Sequence, residues 1–175
     1  MVNQLRDYIE DLARRHREVH HRTDQPHFVD LNEDNRNTQL AQRMNYPGVY
    51  FESSGYSLRG EGANILKYAN VRIEVWDHVT DTADYAQIET KLEKCEQILT
   101  DFFAKMLLDR RDRTQRFLLG ISLDGVEVTD IMNEQNALYG VRATLSVPES
   151  ECLDVIAERF RNDGTFDNTF DMTLD

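Results

Sequence analysis

The sequence predicts an α+β fold: an antiparallel or mixed sheet of about four to five strands packed on one long helix, with an N-terminal helix beside it and a C-terminal short helix and extended arm. Three observations carry this. Apolar residues alternate on both sides of the glycine-bearing stretch "RGEGAN", they recur at steps of three and four from Tyr85 to Met106, and they alternate again from Tyr139 to Val147. Strands that come in hairpins around a helix leave one sheet face for the apolar stripe of that helix.

The first element is a helix over residues 3 to about 20, because Val2, Leu5, Ile9, Leu12, His16 and Val19 fall on one stripe. Pro26 in "QPHFVDL" ends helical continuity, and Phe28 to Leu31 favours a short strand. Residues 32 to 46 are polar and Asn-rich; a connection of that length is functional or mobile, and Thr38 to Met44 suits a short helix within it.

"VYFESSGYSL" and "ILKYANVRIEVW" then form a hairpin. Ala69, Val71, Ile73 and Val75 share one face, Asn70, Arg72 and Glu74 the other, so the hairpin is expected to keep one face wet. Past Trp76 the period changes. Tyr85, Ile88, Leu92, Cys95, Leu99, Phe102 and Met106 predict a helix from about 83 to 108, with Thr80, Asp81 and Thr82 as candidate caps. Arg110, Arg111, Arg113 and Arg116 follow, cations that suit the carbonyl end of a helix dipole and also form a candidate partner or phosphate contact. "FLLGISLDGVEVTDI" reads as a strand interrupted at Gly125 by a bulge or tight turn, antiparallel to the strand that carries Tyr139, Val141, Ala143, Leu145 and Val147. Pro148 is expected to stop that strand, and Ser150 to cap a short helix with Leu153, Ile156, Ala157 and Phe160. The chain thus divides into a domain over 1–147 and a helix with an extended arm over 148–175.

The arm ends on "TFDNTFDMTLD". In an extended chain Phe166, Phe170 and Leu174 point one way and Thr165, Asp167, Thr169 and Asp171 the other, an amphipathic strand suited to a sheet edge or groove of its own subunit or a neighbour. A helix would also keep the three apolar residues on one stripe, and an acidic terminus can fray; threonine and phenylalanine favour the strand.

Composition limits the function. A formal charge of −12 with 30% charged residues argues against a protein whose main work is gripping nucleic acid. Two cysteines, Cys95 and Cys152, are too few for a disulfide framework and fit a reducing compartment. The acids among the apolar residues of "MVNQLRDYIEDLARR" leave no signal-peptide core, and no stretch approaches the roughly 18 apolar residues of a membrane span, so no membrane partner is expected.

Chemistry is sparse. His16 and His20, one helical turn apart, with His27 or Asp24 nearby, are the best metal candidates and define an alternative reading as a small metal-dependent hydrolase. The competing account puts His16 in the apolar stripe and His20 and His21 at a solvated helix end. Gly60 and Gly62 serve a hairpin, since no phosphate-loop lysine accompanies them. No serine stands in a nucleophile elbow, and Asp77, Asp81 and Asp84 suit the start of a helix. No catalytic residue, cofactor or resident metal is expected. An acidic adaptor or immunity-like module that binds a basic partner is a further alternative.

The passage "YPGVYFESSGYSL…ANVRIEVWDHVTDTADYAQIETKLEKCEQILTDFF…GVEVTDIMNEQNALYGVRATLSV" resembles the tail terminator proteins of long-tailed phages and related caps of contractile injection systems. The resemblance covers roughly residues 1–147 and rests on element order and on the strand-to-helix passage "VRIEVWDHVTDTADYAQIE". It implies a structural virion protein without catalysis: a ring, usually a hexamer, that sits on the last ring of the tail tube, stops polymerisation and presents a surface for head joining. The implied partners are further copies of the chain, the tail tube protein, the sheath where there is one, and a neck or connector protein, with DNA only crossing the lumen. Such a protein assembles in the host cytoplasm and resides in the virion tail or neck; a neck or head-completion adaptor is the alternative within the same assembly. The Asn-rich loop at 32–46 and everything after Pro148 depart from the compact pattern. The expected interface residues are Phe166, Phe170 and Leu174 of the arm and Arg110, Arg111 and Arg113.

Overall fold

Alternation of apolar residues builds the sheet. The computed structural model describes residues 1–31, 44–60 and 66–152. Five strands, β1 (Phe28–Leu31), β2 (Gly48–Arg59), β3 (Leu66–His78), β4 (Val128–Asn133) and β5 (Leu138–Cys152), form one mixed sheet in the order β1-β2-β3-β5-β4. Two helices, α1 (Val2–Arg15) and α2 (Tyr85–Arg111), lie on one face. This is the expected α+β architecture.

Register places like beside like. Across the centre Val49 pairs with Val75 and Phe51 with Ile73; the same β3 residues then face Val141 and Ala143 of β5, and Val71 faces Leu145. These side chains are buried under Leu5, Ile9 and Leu12 of α1 and Cys95, Ile98, Leu99, Phe102 and Met106 of α2. Each large apolar side chain so buried contributes about 1.5–3 kcal/mol, which makes this the main stabilising layer. β1 alone runs parallel to its neighbour, with Phe28 opposite Val49.

Several elements differ from expectation, each for a local reason. α1 ends at Arg15, not near residue 20: His16 is extended, and His20 takes a left-handed backbone (φ 51°). Val19 still reaches the core through this turn, so the apolar period outlasts the helix. The cap of α2 is Asp84, one of the acids expected at the start of this helix, whose carboxylate accepts the Gln87 N–H at 3.1 Å; Thr80, Asp81 and Thr82 do not cap it. Gln87 reaches back instead, its side-chain oxygen accepting the Thr80 N–H at 2.8 Å. At the other end Arg113 adopts the left-handed conformation (φ 54°), and its N–H and that of Thr114 close on Arg110 and Asp109. That is a Schellman-type stop made with arginine in place of glycine.

"FLLG" is a 3-10 turn over Arg116–Gly120, not the start of a strand. Leu118 and Ile121, three apart, both enter the core from it, a spacing the three-residue period of such a turn permits and a strand does not. β4 begins only at Val128, after a turn at Gly125 (φ 70°). Pro148 does not stop β5, which passes through it to Cys152 with Pro148 opposite Tyr68. A proline is tolerated there because β4 pairs only as far as Ala143, leaving one side of β5 open for a residue without an N–H. The short helix expected after Ser150, the arm and the helix suggested for Thr38 to Met44 lie outside the described residues, apart from Met44 itself, which is not helical.

Candidate assembly surface

The outer face of the sheet, away from the helices, is only in part the wet face expected of the hairpin: Asn70 and Arg72 stay half-exposed, whereas the end of β3 is covered. Tyr50, Trp76 and Leu138 are buried there, with Val29, Met44, Tyr46 and Ile131 packed around them. Glu52 and Glu74, on the same face, are also buried. Glu74 accepts the Arg142 Nε–H at 2.7 Å and the Trp76 indole N–H at 2.8 Å, so its charge is matched within the sheet surface. Arg72 approaches Glu52 at 3.4 Å. The alternation is real, but the start of β2 and the end of β3 are covered on this face as well, by Val29 of β1, Met44 and Tyr46 ahead of β2, and Ile131 of β4.

Between the helices lies a second buried polar contact. The Tyr8 hydroxyl donates to Asp109 Oδ2 at 2.7 Å, joining α1 to the last turns of α2, and Lys105 pairs with the other carboxylate oxygen. Burial raises the Asp109 carboxyl, but the hydrogen bonds from Lys105 and Tyr8 outweigh it and hold the group below its ordinary value. Burial and the same carboxylate push the Tyr8 phenol up, so its proton stays available for donation. Cys95 is likewise inert: burial pushes its thiol up to about 12.

The histidines are dispersed. His16 meets Asp101 at 3.2 Å and lies edge-on to Phe102, His27 bonds the Pro47 carbonyl at 2.8 Å, and His20 is exposed. Because α1 ends before His16, the pair His16/His20 does not share a helical face. His21, expected in solvent, is buried; its Nδ1 accepts the His27 N–H, and burial lowers its basicity. Asp24 lines a shallow basin with His21, Arg14, Arg22 and Thr23. Among the described residues no group of three or more His, Cys, Asp or Glu side chains is placed to hold a metal ion.

The expected interface residues fare differently. Phe166, Phe170 and Leu174 lie outside the described residues. Arg110 is half-buried and donates to the Ile121 carbonyl at 3.3 Å, tying the 3-10 turn to α2. Arg111 and Arg113 are exposed, beside the exposed Leu107 and Leu108 of the same helix end.

What sequence reasoning missed is the open edge of β5. β3 pairs with β5 from Leu138 to Cys152, whereas β4 stops at Ala143. Among the described residues no strand pairs with Thr144–Cys152 on the side away from β3. Beside that edge runs the segment 120–126, and between them lies a groove of ≈ 450 Å³ lined by Arg59, Tyr68, Ser122, Asp124, Thr144 and Ser146, with Val126 and Leu145. Arg59 stacks 5.0 Å above the Tyr68 ring and donates to Ser146 Oγ at 2.8 Å. The unequal lengths of the two alternating runs, six residues in β4 against fifteen in β5, were the signal that could have revealed it.

Compared with known proteins, the sequence matches no family model, and no curated protein matches it either.

Proposed function

We propose that the chain is a structural subunit that assembles with copies of itself into a ring at the end of a phage tail tube, where it terminates the tube and offers the surface for head joining. The observation that carries this reading is that, among the described residues, the helices lie on one face of the sheet and the β5 edge is unpaired, a shape that presents ladder groups to a neighbour. The passage from β3 through Trp76 and an acidic turn into α2, which carries the resemblance to tail terminators, fits the same reading. So does the exposure of large apolar side chains away from the core, among them Tyr85, Leu107, Leu108, Val128 and Met132. A net charge of −12 suits a channel that DNA must cross without sticking, since a basic lumen would bind phosphate.

The test is the assembly state of the purified full-length chain. Light scattering and negative-stain microscopy are expected to show rings, or oligomers that grow with concentration and attach to tail tubes. A protein that stays monomeric at high concentration and does not bind tubes overturns the proposal.

A further inference from the structure

The free edge of β5 has a defined chemistry. Pro148 lacks an N–H, and a proline sits within a ladder only where its nitrogen faces an open side. The β3–β5 register is regular from Tyr68/Pro148 back through Arg72/Thr144, so backbone groups two and four residues before Pro148, those of Ser146 and Thr144, face the same open side. That side is the one beside the groove. An added strand would therefore find ladder donors and acceptors at Thr144 and Ser146 and lose one donor at Pro148, which sets where pairing stops. Its two faces would meet different surroundings. The helix side offers the half-buried Val126, since Leu145 is already closed within the core; the outer side offers Thr144, Ser146 and the cation of Arg59, which makes no ion pair among the described residues. Asp124 is the one acid among the described residues that line the groove.

The chain's own last residues match that asymmetry. Written as a strand, Thr165–Asp175 places Phe166, Asn168, Phe170, Met172 and Leu174 on one face and an unbroken Thr-Asp-Thr-Asp-Thr-Asp row on the other. The apolar row suits the helix side, and the acidic row suits Arg59. Twelve residues separate Cys152 from Thr165, a reach of up to about 40 Å and enough to leave the parent domain.

We propose that the edge of β5 at Thr144–Ser146, with the groove beside it, receives the Thr165–Asp175 segment of a neighbouring copy as an added strand. This deepens the ring reading and rests on it, because exchange between copies is what makes the arm a fastener.

Two full-length chains, both carrying Cys152→Ser, are purified separately. One carries Thr144→Cys, the other Thr165→Cys, Thr169→Cys or Thr173→Cys in turn. They are mixed and treated with a short bismaleimide; Cys95 is buried and stays silent. The expected result is a covalent heterodimer for at least one arm position, at least fivefold above a control in which Thr129→Cys on β4 replaces Thr144→Cys. A yield no higher than the control overturns the proposal. So does cross-linking that appears only within one chain when both cysteines are on the same molecule. Microscopy of the same samples separates the two claims: rings without the cross-link remove the arm's seat alone, while the cross-link without rings keeps the exchange and removes the ring.

Discussion

Replacing Gly140 with alanine tests the closest backbone approach in the sheet. Gly140 stands opposite Trp76 in the β3–β5 ladder, and a Cβ added to it would lie 2.1 Å from the Val75 carbonyl oxygen and 2.9 Å from Trp76 Cα. Carbon and oxygen rest comfortably at about 3.3 Å, so the strands must part locally by roughly 1 Å. Backbone bonds stretched that far beyond their usual 2.9–3.0 Å are lost. Two such bonds cost about 1 kcal/mol each, and overpacking adds about 1–3 kcal/mol. Gly140→Ala is therefore expected to destabilise the protein by about 3–5 kcal/mol and to lower Tm by about 10 °C, given about 2–4 °C per kcal/mol at this size. Gly125→Ala is the control. It has nothing within 4 Å but a φ of +70°, so it carries only the left-handed backbone penalty of about 1–2 kcal/mol. Thermal and urea melts followed by circular dichroism measure both. A Gly140→Ala protein that melts within about 3 °C of the parent, or a larger loss at Gly125, would refute the argument that the strands meet without room for a methyl group.

Two further substitutions probe the buried polar contacts. Tyr8→Phe is expected to cost about 1.5 kcal/mol at pH 7 in urea unfolding, the worth of a hydrogen bond to a charged acceptor. Because the folded-state pKa of Asp109 is depressed, its contribution is complete above the unfolded value and fades as pH falls through the folded one; the gap between parent and variant should therefore narrow from about pH 5 downward. A gap independent of pH would contradict this. Glu74→Ala is expected to cost about 2–3 kcal/mol, since it strands the Trp76 indole N–H and the Arg142 guanidinium. Trp76 is the single tryptophan, so its emission should shift in the folded variant; an unchanged spectrum would place the indole elsewhere.

Legibility followed the source of each signal. α2 and the β2–β3 hairpin were readable because a sustained apolar period fixes the element type, although of the seven stripe residues of α2 only Cys95, Leu99, Phe102 and Met106 reach the core, while Tyr85 is exposed. α1 was read too long because His16 and Val19 keep the apolar period through a non-helical turn, closed by the Val19 and His20 N–H groups on the His16 carbonyl and by the His21 N–H on the Ala13 carbonyl. Thr80 and Asp81 looked like caps from composition alone, yet the choice among neighbouring acids and hydroxyls depends on where Gln87 can fold back. Pro148 misled for a related reason: whether a proline ends a strand depends on which flank lacks a neighbour, and that is a property of the sheet, not of the residue. Of the candidate interface, the arm was conspicuous as a pattern, but the groove that it would need arises from two strands of unequal length meeting a loop seventeen or more residues upstream.

The strand order has a consequence for synthesis. β5 is the last of the five described strands to leave the ribosome, yet it takes an interior place between β3 and β4. Until it arrives, β3 shows a bare flank of valine and isoleucine, β4 has nothing to pair with, and α2 has only half a bed to lie on. Nascent chains short of residue 147 are accordingly sticky polymers awaiting their centrepiece, and a premature stop in that region should deliver insoluble material, not a smaller working protein.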